Sequence, residues 1–211
     1  MDDVWPEFER LAREARNRVE VRPARADDGR RVLETLRVTT RSALGALALH
    51  TEITLVDHGW IRLLGAGGPD TRCSLLGLNG NGLPLDPGEG FVIAYDVVGG
   101  FFAIDGGGLG GDHGEVRYLA PDTLEWEGTE LGQGDWVRWT FASDLDDYYR
   151  ELRWSRWCDE IAGVATDQAL QLYPPPFTQE GKDVSAVSRR AVPVHELWQV
   201  GQEFRRQLGG Q

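Results

Sequence analysis

The segment that most resembles a chemical site is residues 101–119, FFAIDGGGLGGDHGEVRYL, in which six glycines occur within nine residues. Three of them match the G-x-G-x-x-G pattern of dinucleotide-binding loops, namely Gly106, Gly108 and Gly111. Such a loop needs a helix behind the glycines, because the phosphate binds at the helix N-terminus. Residues 115–119 instead alternate like a strand, and Asp105 and Asp112 would repel phosphate. We therefore interpret the loop as a connection between antiparallel strands, and we expect no nucleotide and no other cofactor.

Two loops each join an aspartate to a histidine, and they offer a second kind of chemistry. The pairs are Asp57-His58 and Asp112-His113. Imidazole and carboxylate groups can bind metals or transfer protons. However, the sequence contains no HxxxH, CxxC, EF-hand or G-x-S-x-G pattern. We assign no catalytic residue and no metal ligand. A hydrolase or metal-dependent enzyme that uses the loops around His58 and His113 remains the alternative.

Tryptophans recur at spacings of three in the C-terminal half, and Trp154 and Trp157 directly follow Arg153 and Arg156. The residues concerned are Trp136, Trp139, Arg153, Trp154, Arg156 and Trp157. Core packing with stacked arginine side chains is the ordinary explanation of such a pattern. An aromatic face that binds another protein is the alternative.

Charge and composition limit the possible functions. The 211 residues carry 34 acidic and 22 basic side chains, a net charge of −12. This charge argues against nucleic-acid binding and against membrane-surface binding, but it suits a basic protein partner. No apolar run is long enough to span a membrane, and the acidic N-terminus is unlike a signal peptide. We expect a cytoplasmic protein with free thiols at Cys73 and Cys158.

Helices are predicted at both ends of the chain. Apolar residues recur every three or four positions over residues 3–19, which predicts an amphipathic helix with Trp5, Phe8 and Leu11 buried. Further helices are predicted over residues 28–37, after a cap at Ser42, from Asp135, from Ser143 through SDLDDYYRELRW, and over Val194–Leu208.

The middle of the chain predicts antiparallel strands. They are expected near residues 53–57, 60–64, 91–97, 101–105 and 115–119, with one more in LEWEGTEL. Asp57-His58-Gly59 should turn the first hairpin. Gly99-Gly100 should turn the second through a type I′ or II′ turn. Residues 77–90, between the two hairpins, read as a loop.

This order predicts an α+β fold: an antiparallel sheet built from hairpins, flanked by N- and C-terminal helices. We expect one domain over residues 1–211, with a C-terminal helical appendage from about residue 177.

Several segments resemble a bacterial family of uncharacterised domains of about this length. They are RVTTRSALGALALHTEITLVDHGWIRLLGAG, AYDVVGGFFAID, YLAPDTLEWE and SDLDDYYRELRW. The layout is also similar to the SUKH superfamily, through Leu44-Gly45, Asp96, Gly99-Gly100-Phe101 and the stretch from Asp144 to Tyr149. That second resemblance implies an immunity protein that neutralises a toxin.

Taken together, these features favour a non-catalytic protein-binding module of SUKH type that inhibits a basic toxin. The predicted partner-binding residues are Asp57, His58, Asp112 and His113.

Overall fold

The structure is a computed structural model that describes residues 3–68, 73–80, 85 and 88–208. Its helices are α1 (Trp5–Arg13), α2 (Ala26–Leu36), α3 (Ala43–His50), α4 (Leu75–Gly80), α5 (Gln133–Ala142), α6 (Leu145–Tyr148), α7 (Trp157–Ile161) and α8 (Val194–Leu208). Its strands are β1 (Val19–Pro23), β2 (Thr51–Val56), β3 (Ile61–Leu64), β4 (Gly90–Asp96), β5 (Phe101–Asp105), β6 (Glu115–Leu119), β7 (Trp126–Gly132), β8 (Gln168–Tyr173) and β9 (Ser188–Pro193).

Strands β1 to β7 form one sheet in chain order, and every neighbouring pair is antiparallel. The α+β class, the antiparallel sheet and the flanking helices are therefore confirmed. Both predicted hairpins are present, and a strand rather than a helix follows the glycine-rich loop. Strands β8 and β9, which the sequence did not predict, form a separate two-stranded sheet.

The large sheet is covered on both faces. On one face α1, α3 and α5 pack together, with Phe8 against Phe141 and Phe102 against Trp136. On the other face Trp198 of α8 lies edge-on to Phe101, at 4.9 Å between ring centroids. The largest buried side chains fill these two layers: Trp60, Trp136, Trp198, Tyr95, Tyr149, Phe101, Phe102 and Phe141. Burial of this apolar surface is the main stabilising contribution to the fold.

The N-terminal helix is shorter than predicted. It ends at Arg13, because Asn17 donates hydrogen bonds to the carbonyls of Thr140 and Ser143, at 2.8 and 3.0 Å, and β1 then pairs with β2. Phe8 is buried as predicted, whereas Trp5 is only half-buried.

The helix predicted from Ser143 is also interrupted. Asp144 is the capping residue, accepting a hydrogen bond from the Asp147 N–H, and α6 stops at Tyr148. A short 3-10 turn follows, and the backbone becomes extended at Arg153. The cap at Ser42 is confirmed, since its hydroxyl accepts from the Gly45 N–H at 3.1 Å.

Two loop predictions need correction. The second hairpin turns over residues 96–99, where the Gly99 N–H donates to the Asp96 carbonyl at 3.2 Å. Only Gly99 in this turn has a positive φ, 91°, so the turn is not a type I′ or II′ turn centred on Gly99-Gly100. In the predicted loop over residues 77–90, positions 77–80 belong to α4, and 81–84 and 86–87 lie outside the described residues.

Candidate functional site

The sheet places the two predicted aspartate–histidine loops at opposite ends. The Asp57-His58 turn lies beside the turn after β4, since the Val97 N–H donates to the Trp60 carbonyl at 2.9 Å. Asp112 and His113 follow β5 at its other end. A five-residue strand rises about 3.3 Å per residue, so the two loops are separated by roughly 15 Å or more. They cannot form one catalytic or binding site.

Asp57 is not the free loop charge that the sequence suggested. Its carboxylate forms a short ion pair with Arg153, 96 positions along the chain, and the two side chains are only 14% and 6% exposed. Asp57 and His58 also have left-handed backbone, with φ of 52° and 58°. Asp57 therefore joins the first hairpin to the segment after α6.

Arg153 occupies an aromatic box. Its guanidinium carbon lies 4.1 Å from the Trp157 ring centroid, 4.7 Å from Trp60 and 5.4 Å from Tyr149. A second carboxylate, that of Asp146, accepts from it at 2.5 Å. The predicted core packing with a stacked arginine is confirmed at this position.

The other predicted arginine is not stacked. Arg156 is 79% exposed and pairs with Asp159. Trp154 is covered instead by Arg189, whose guanidinium carbon lies 4.4 Å from its ring.

The glycine-rich loop is organised around Asp105 rather than around a ligand. One carboxylate oxygen accepts from the N–H groups of Gly107 and Leu109, at 2.6 and 3.2 Å, and the other accepts from Gly111 at 2.8 Å. Burial opposes the charge, but these three donors hold the pKa of Asp105 below its ordinary value. The amides that a phosphate would need already bind this carboxylate.

The outer part of the same loop is solvated. Asp112 and His113 are both exposed, as predicted for a surface turn. The Asp112 backbone N–H donates to the Glu115 carboxylate at 3.3 Å, and the His113 ring has no hydrogen bond or ion pair with a described residue.

Asp96 is a fully buried carboxyl in the turn of the second hairpin. It accepts from the Tyr118 hydroxyl at 2.6 Å and from the backbone N–H groups of Val98 and Gly100, at 3.0 and 2.8 Å. Burial raises the pKa of Asp96 in spite of these donors. Burial likewise raises the pKa values of Tyr118 and Tyr149 well above the ordinary range. These hydrogen bonds hold the turn of the second hairpin and connect it to β6.

A cluster of unpaired acids lies on the β6–β7 hairpin. Asp122, Glu125, Glu127 and Glu130 are exposed, and no arginine, lysine or histidine in the described part of the chain lies within ion-pair distance of them. Tyr148 is 42% exposed and lies close enough to Glu127 and Asp122 for their charges to act on it. Partial burial, and then the carboxylates of Glu127, Asp96 and Asp122, raise the pKa of Tyr148. We call these four acids and Tyr148 the acidic hairpin surface.

The Tyr148 ring is held in place from below. It packs edge-on against Trp139 and Tyr149, each at 4.8 Å between ring centroids. The surface therefore presents one fixed aromatic side chain together with carboxylates that have no ion-pair partner among the described residues, one of which, Glu127, accepts from the Thr123 hydroxyl at 3.0 Å. The sequence signal for it was the run of acids in PDTLEWEGTEL.

The chain matches the family described as "Protein of unknown function DUF2625" over residues 1–197. It belongs to that family. An uncharacterized protein of Escherichia coli (strain K12), YbfG, is 32% identical over 215 residues, which covers 97% of this chain and 93% of YbfG. An uncharacterized protein of Haemophilus influenzae is 28% identical over 182 residues, with 85% and 79% covered. No solved structure matches the chain significantly.

The predicted likeness to the family of uncharacterised bacterial domains is thus confirmed, and the comparisons do not show SUKH. Among the described residues, no helix is long and apolar enough to cross a membrane. The same part of the chain contains no group of three or more histidine, cysteine or acidic side chains suited to a metal ion.

Proposed function

We propose that this member of the DUF2625 family is a non-catalytic protein-binding module, and that its acidic hairpin surface binds a basic protein. The observation that carries the proposal is the unpaired state of Asp122, Glu125, Glu127 and Glu130. Some exposed acids elsewhere have an arginine partner, as Asp27 has Arg30 and Asp135 has Arg138, whereas these four lie on one hairpin without such a partner. Unpaired acids attract a basic partner over several ångströms and set its orientation.

The aromatic centre of this surface supports the same function. Tyrosine and tryptophan dominate the energetically important positions of protein interfaces, because a rigid ring buries much area at little entropic cost. Tyr148 is already immobilised by Trp139 and Tyr149. A partner would therefore gain contact area without ordering this side chain.

The four residues predicted to bind a partner, Asp57, His58, Asp112 and His113, would contribute to binding in different ways. His58 is exposed and lies at the same end of the sheet as the β6–β7 turn, so it can extend the surface. Asp57 would act only through the position of that turn, because its carboxylate binds Arg153. Asp112 and His113 would form a separate contact at the other end. We further propose that the partner is a basic toxin, as for immunity proteins of the SUKH type.

Charge reversal tests the location of the surface. Glu125→Lys with Glu127→Lys should abolish retention of the physiological partner by the immobilised protein in extract from the native host. A matched control reverses Glu9 and Glu34, two exposed helix residues without a described ion-pair partner. Each reversal adds two positive charges, so both variants carry −8 instead of −12.

Because the two variants have the same net charge, their comparison separates recognition by the hairpin from attraction by the net charge of the protein. If the surface is the hairpin, only the Glu125/Glu127 variant loses a band that the wild type retains, and that partner should be basic. If both variants lose the band equally, net charge and not the hairpin is what retains the partner. Retention by the hairpin variant would refute the assignment. Circular dichroism spectra of both variants should match the wild type, since exposed charges contribute little to stability.

A further inference from the structure

A polar cleft lies on the opposite edge of the sheet from the acidic hairpin surface, between β1 and α7. Its volume is about 220 Å³, well above the roughly 10–15 Å³ that one water molecule needs. It is lined by Arg18, Glu20, Arg22, Leu55, His58, Gly59, Arg62, Cys158, Ile161, Ala162, Val164 and Thr166. A second cavity of about 340 Å³ adjoins it, since Arg18 and His58 also line that one.

The sheet pattern explains why charged groups meet in the cleft. Arg18, Glu20 and Arg22 alternate along the chain, so their side chains lie on one face. Across the sheet, Glu20 pairs with Leu55, and Leu55 pairs with Arg62. The C-terminal layer covers Arg62 but leaves Arg18 exposed at the edge.

Arg62 gives the cleft a fixed positive wall. It is 2% exposed, donates to the backbone carbonyls of Gly59, Val164, Ala165 and Gln168, and lies 5.8 Å from the centroid of the Tyr95 ring. Its charge is therefore hydrogen-bonded but not neutralised by any carboxylate of the described residues. A buried cation without a counter-ion favours an anion nearby.

Among the other charged residues of the cleft, Arg18 is a second cation without a carboxylate partner. Glu20 accepts from Arg22 at 3.0 Å, so these two neutralise each other. Arg18 has no ion-pair partner in the described part of the chain, and His58 stands next to it at the junction of the two cavities. In a protein of net charge −12, the residues that line this cleft carry an excess of two positive charges, from Arg18 and Arg62. The adjoining cavity is lined by three carboxylates, of which Asp57 and Asp146 pair with Arg153 and Asp144 pairs with Arg16.

We infer that this cleft binds a small organic oxyanion, with Arg18 as the residue that contacts its charged group. A guanidinium donates two parallel hydrogen bonds to a carboxylate or a phosphate group. Leu55, Ala162 and Val164 supply an apolar wall for a short hydrocarbon portion of the ligand. Arg62 would stabilise the anion electrostatically, because its own donors are occupied. This site is distinct from the acidic hairpin surface, which lies at the other edge of the sheet, and it shares only His58 with the proposed partner contacts.

The test is a titration of the ¹⁵N-labelled full chain, followed by two-dimensional NMR. Sodium phosphate and sodium butyrate are added separately, and sodium chloride at the same ionic strength is the reference. Saturable shift changes at Gly59, Ala162 and Val164 with either oxyanion, and not with chloride, are expected. Shifts with phosphate alone would identify a phosphate group as the ligand head, and shifts with butyrate a carboxylate. No saturable change with either anion would overturn the inference.

Variants locate the contact. Arg18→Ala should weaken binding about tenfold or more, as expected for loss of a charge-assisted hydrogen bond. Arg190→Ala is the matched control, because Arg190 is an exposed strand residue without a described ion-pair partner. His58→Asn tests whether the imidazole ring of His58 contributes to anion binding. Asparagine tolerates the left-handed backbone at position 58. Equal affinity of the Arg18 and Arg190 variants would refute the role of Arg18.

Discussion

The ion pair between Asp57 and Arg153 connects the first hairpin to the chain after α6, and its removal should destabilise the protein strongly. The informative substitutions are Asp57→Asn and Arg153→Met, alone and together. Asparagine tolerates the φ of 52° at position 57, so backbone strain is not added. Methionine retains most of the apolar stem of the arginine against the aromatic rings.

The expected magnitude follows from burial. The two side chains are 14% and 6% exposed, so water replaces the lost partner poorly. Breaking a buried pair by removing one partner costs about 3–5 kcal/mol of unfolding free energy. Asp57→Asn should cost less, about 2 kcal/mol, because Asp146 continues to accept from Arg153. Arg153→Met should cost about 3–5 kcal/mol, since the rings also lose their cation.

The assay is urea unfolding monitored by tryptophan fluorescence, which reports on Trp60 and Trp157 beside the guanidinium. The double-mutant cycle should give a coupling energy of about 2 kcal/mol. The control is the cycle Glu7→Gln with Arg138→Met. That pair also joins distant parts of the chain, at 2.7 Å, but its side chains are 46% and 48% exposed.

The comparison of the two double-mutant cycles tests whether burial strengthens the Asp57–Arg153 ion pair. The exposed pair should show a much weaker coupling that disappears in 1 M salt, whereas the buried coupling should persist there. Equal couplings for both pairs, or complete loss of the Asp57–Arg153 coupling in salt, would refute the conclusion that burial makes this ion pair important.

Two further predictions concern the core and the buried acid. Phe8→Ala should lower the unfolding free energy by about 3 kcal/mol, because Phe8 is 6% exposed and packs against Phe141. Chemical denaturation measures this loss. A loss near zero would show that α1 is peripheral. Burial raises the pKa of Asp96, so its contribution to stability is complete below the unfolded pKa and is lost as pH rises through the folded pKa. Wild type should therefore lose stability relative to Asp96→Asn as pH rises above about 4, by at most about 1.4 kcal/mol per pH unit. Urea unfolding between pH 3.5 and 7 measures this difference, and a constant value would contradict it.

Local patterns explain what was predictable. The last helix, Val194–Leu208, has the predicted bounds, because its apolar spacing and its preceding proline act within a few residues. Ser42 caps α3 for the same reason. The strand after the glycine-rich loop also followed from local alternation, and this was sufficient to distinguish the loop from a dinucleotide-binding turn.

Where the local sequence signals were weaker, hydrogen bonding between strands determined the structure. Strand β1 was not predicted, and its first residue, Val19, lay inside the predicted helix over residues 3–19; hydrogen bonding with β2 determines its conformation. Strands β8 and β9 are separated by a loop of fourteen residues, 174–187, and the pairing of the two segments could not be read from either alone. The segment from about residue 177 accordingly contains β9 before α8.

The sequence by itself determined the class of fold, the positions of the hairpins and the acidity that suggests a basic partner, because these depend on residue type and short-range spacing. Only the tertiary structure decided which charges are free. It buried Asp57 against Arg153, left the acids of the β6–β7 hairpin without ion-pair partners, and placed Arg18 and Arg62 in the lining of one cleft. The physical reason is that an ion pair requires two side chains within about 4 Å. The chain brings Asp57 and Arg153, which are 96 positions apart, together only when the sheet and its covering layers have formed.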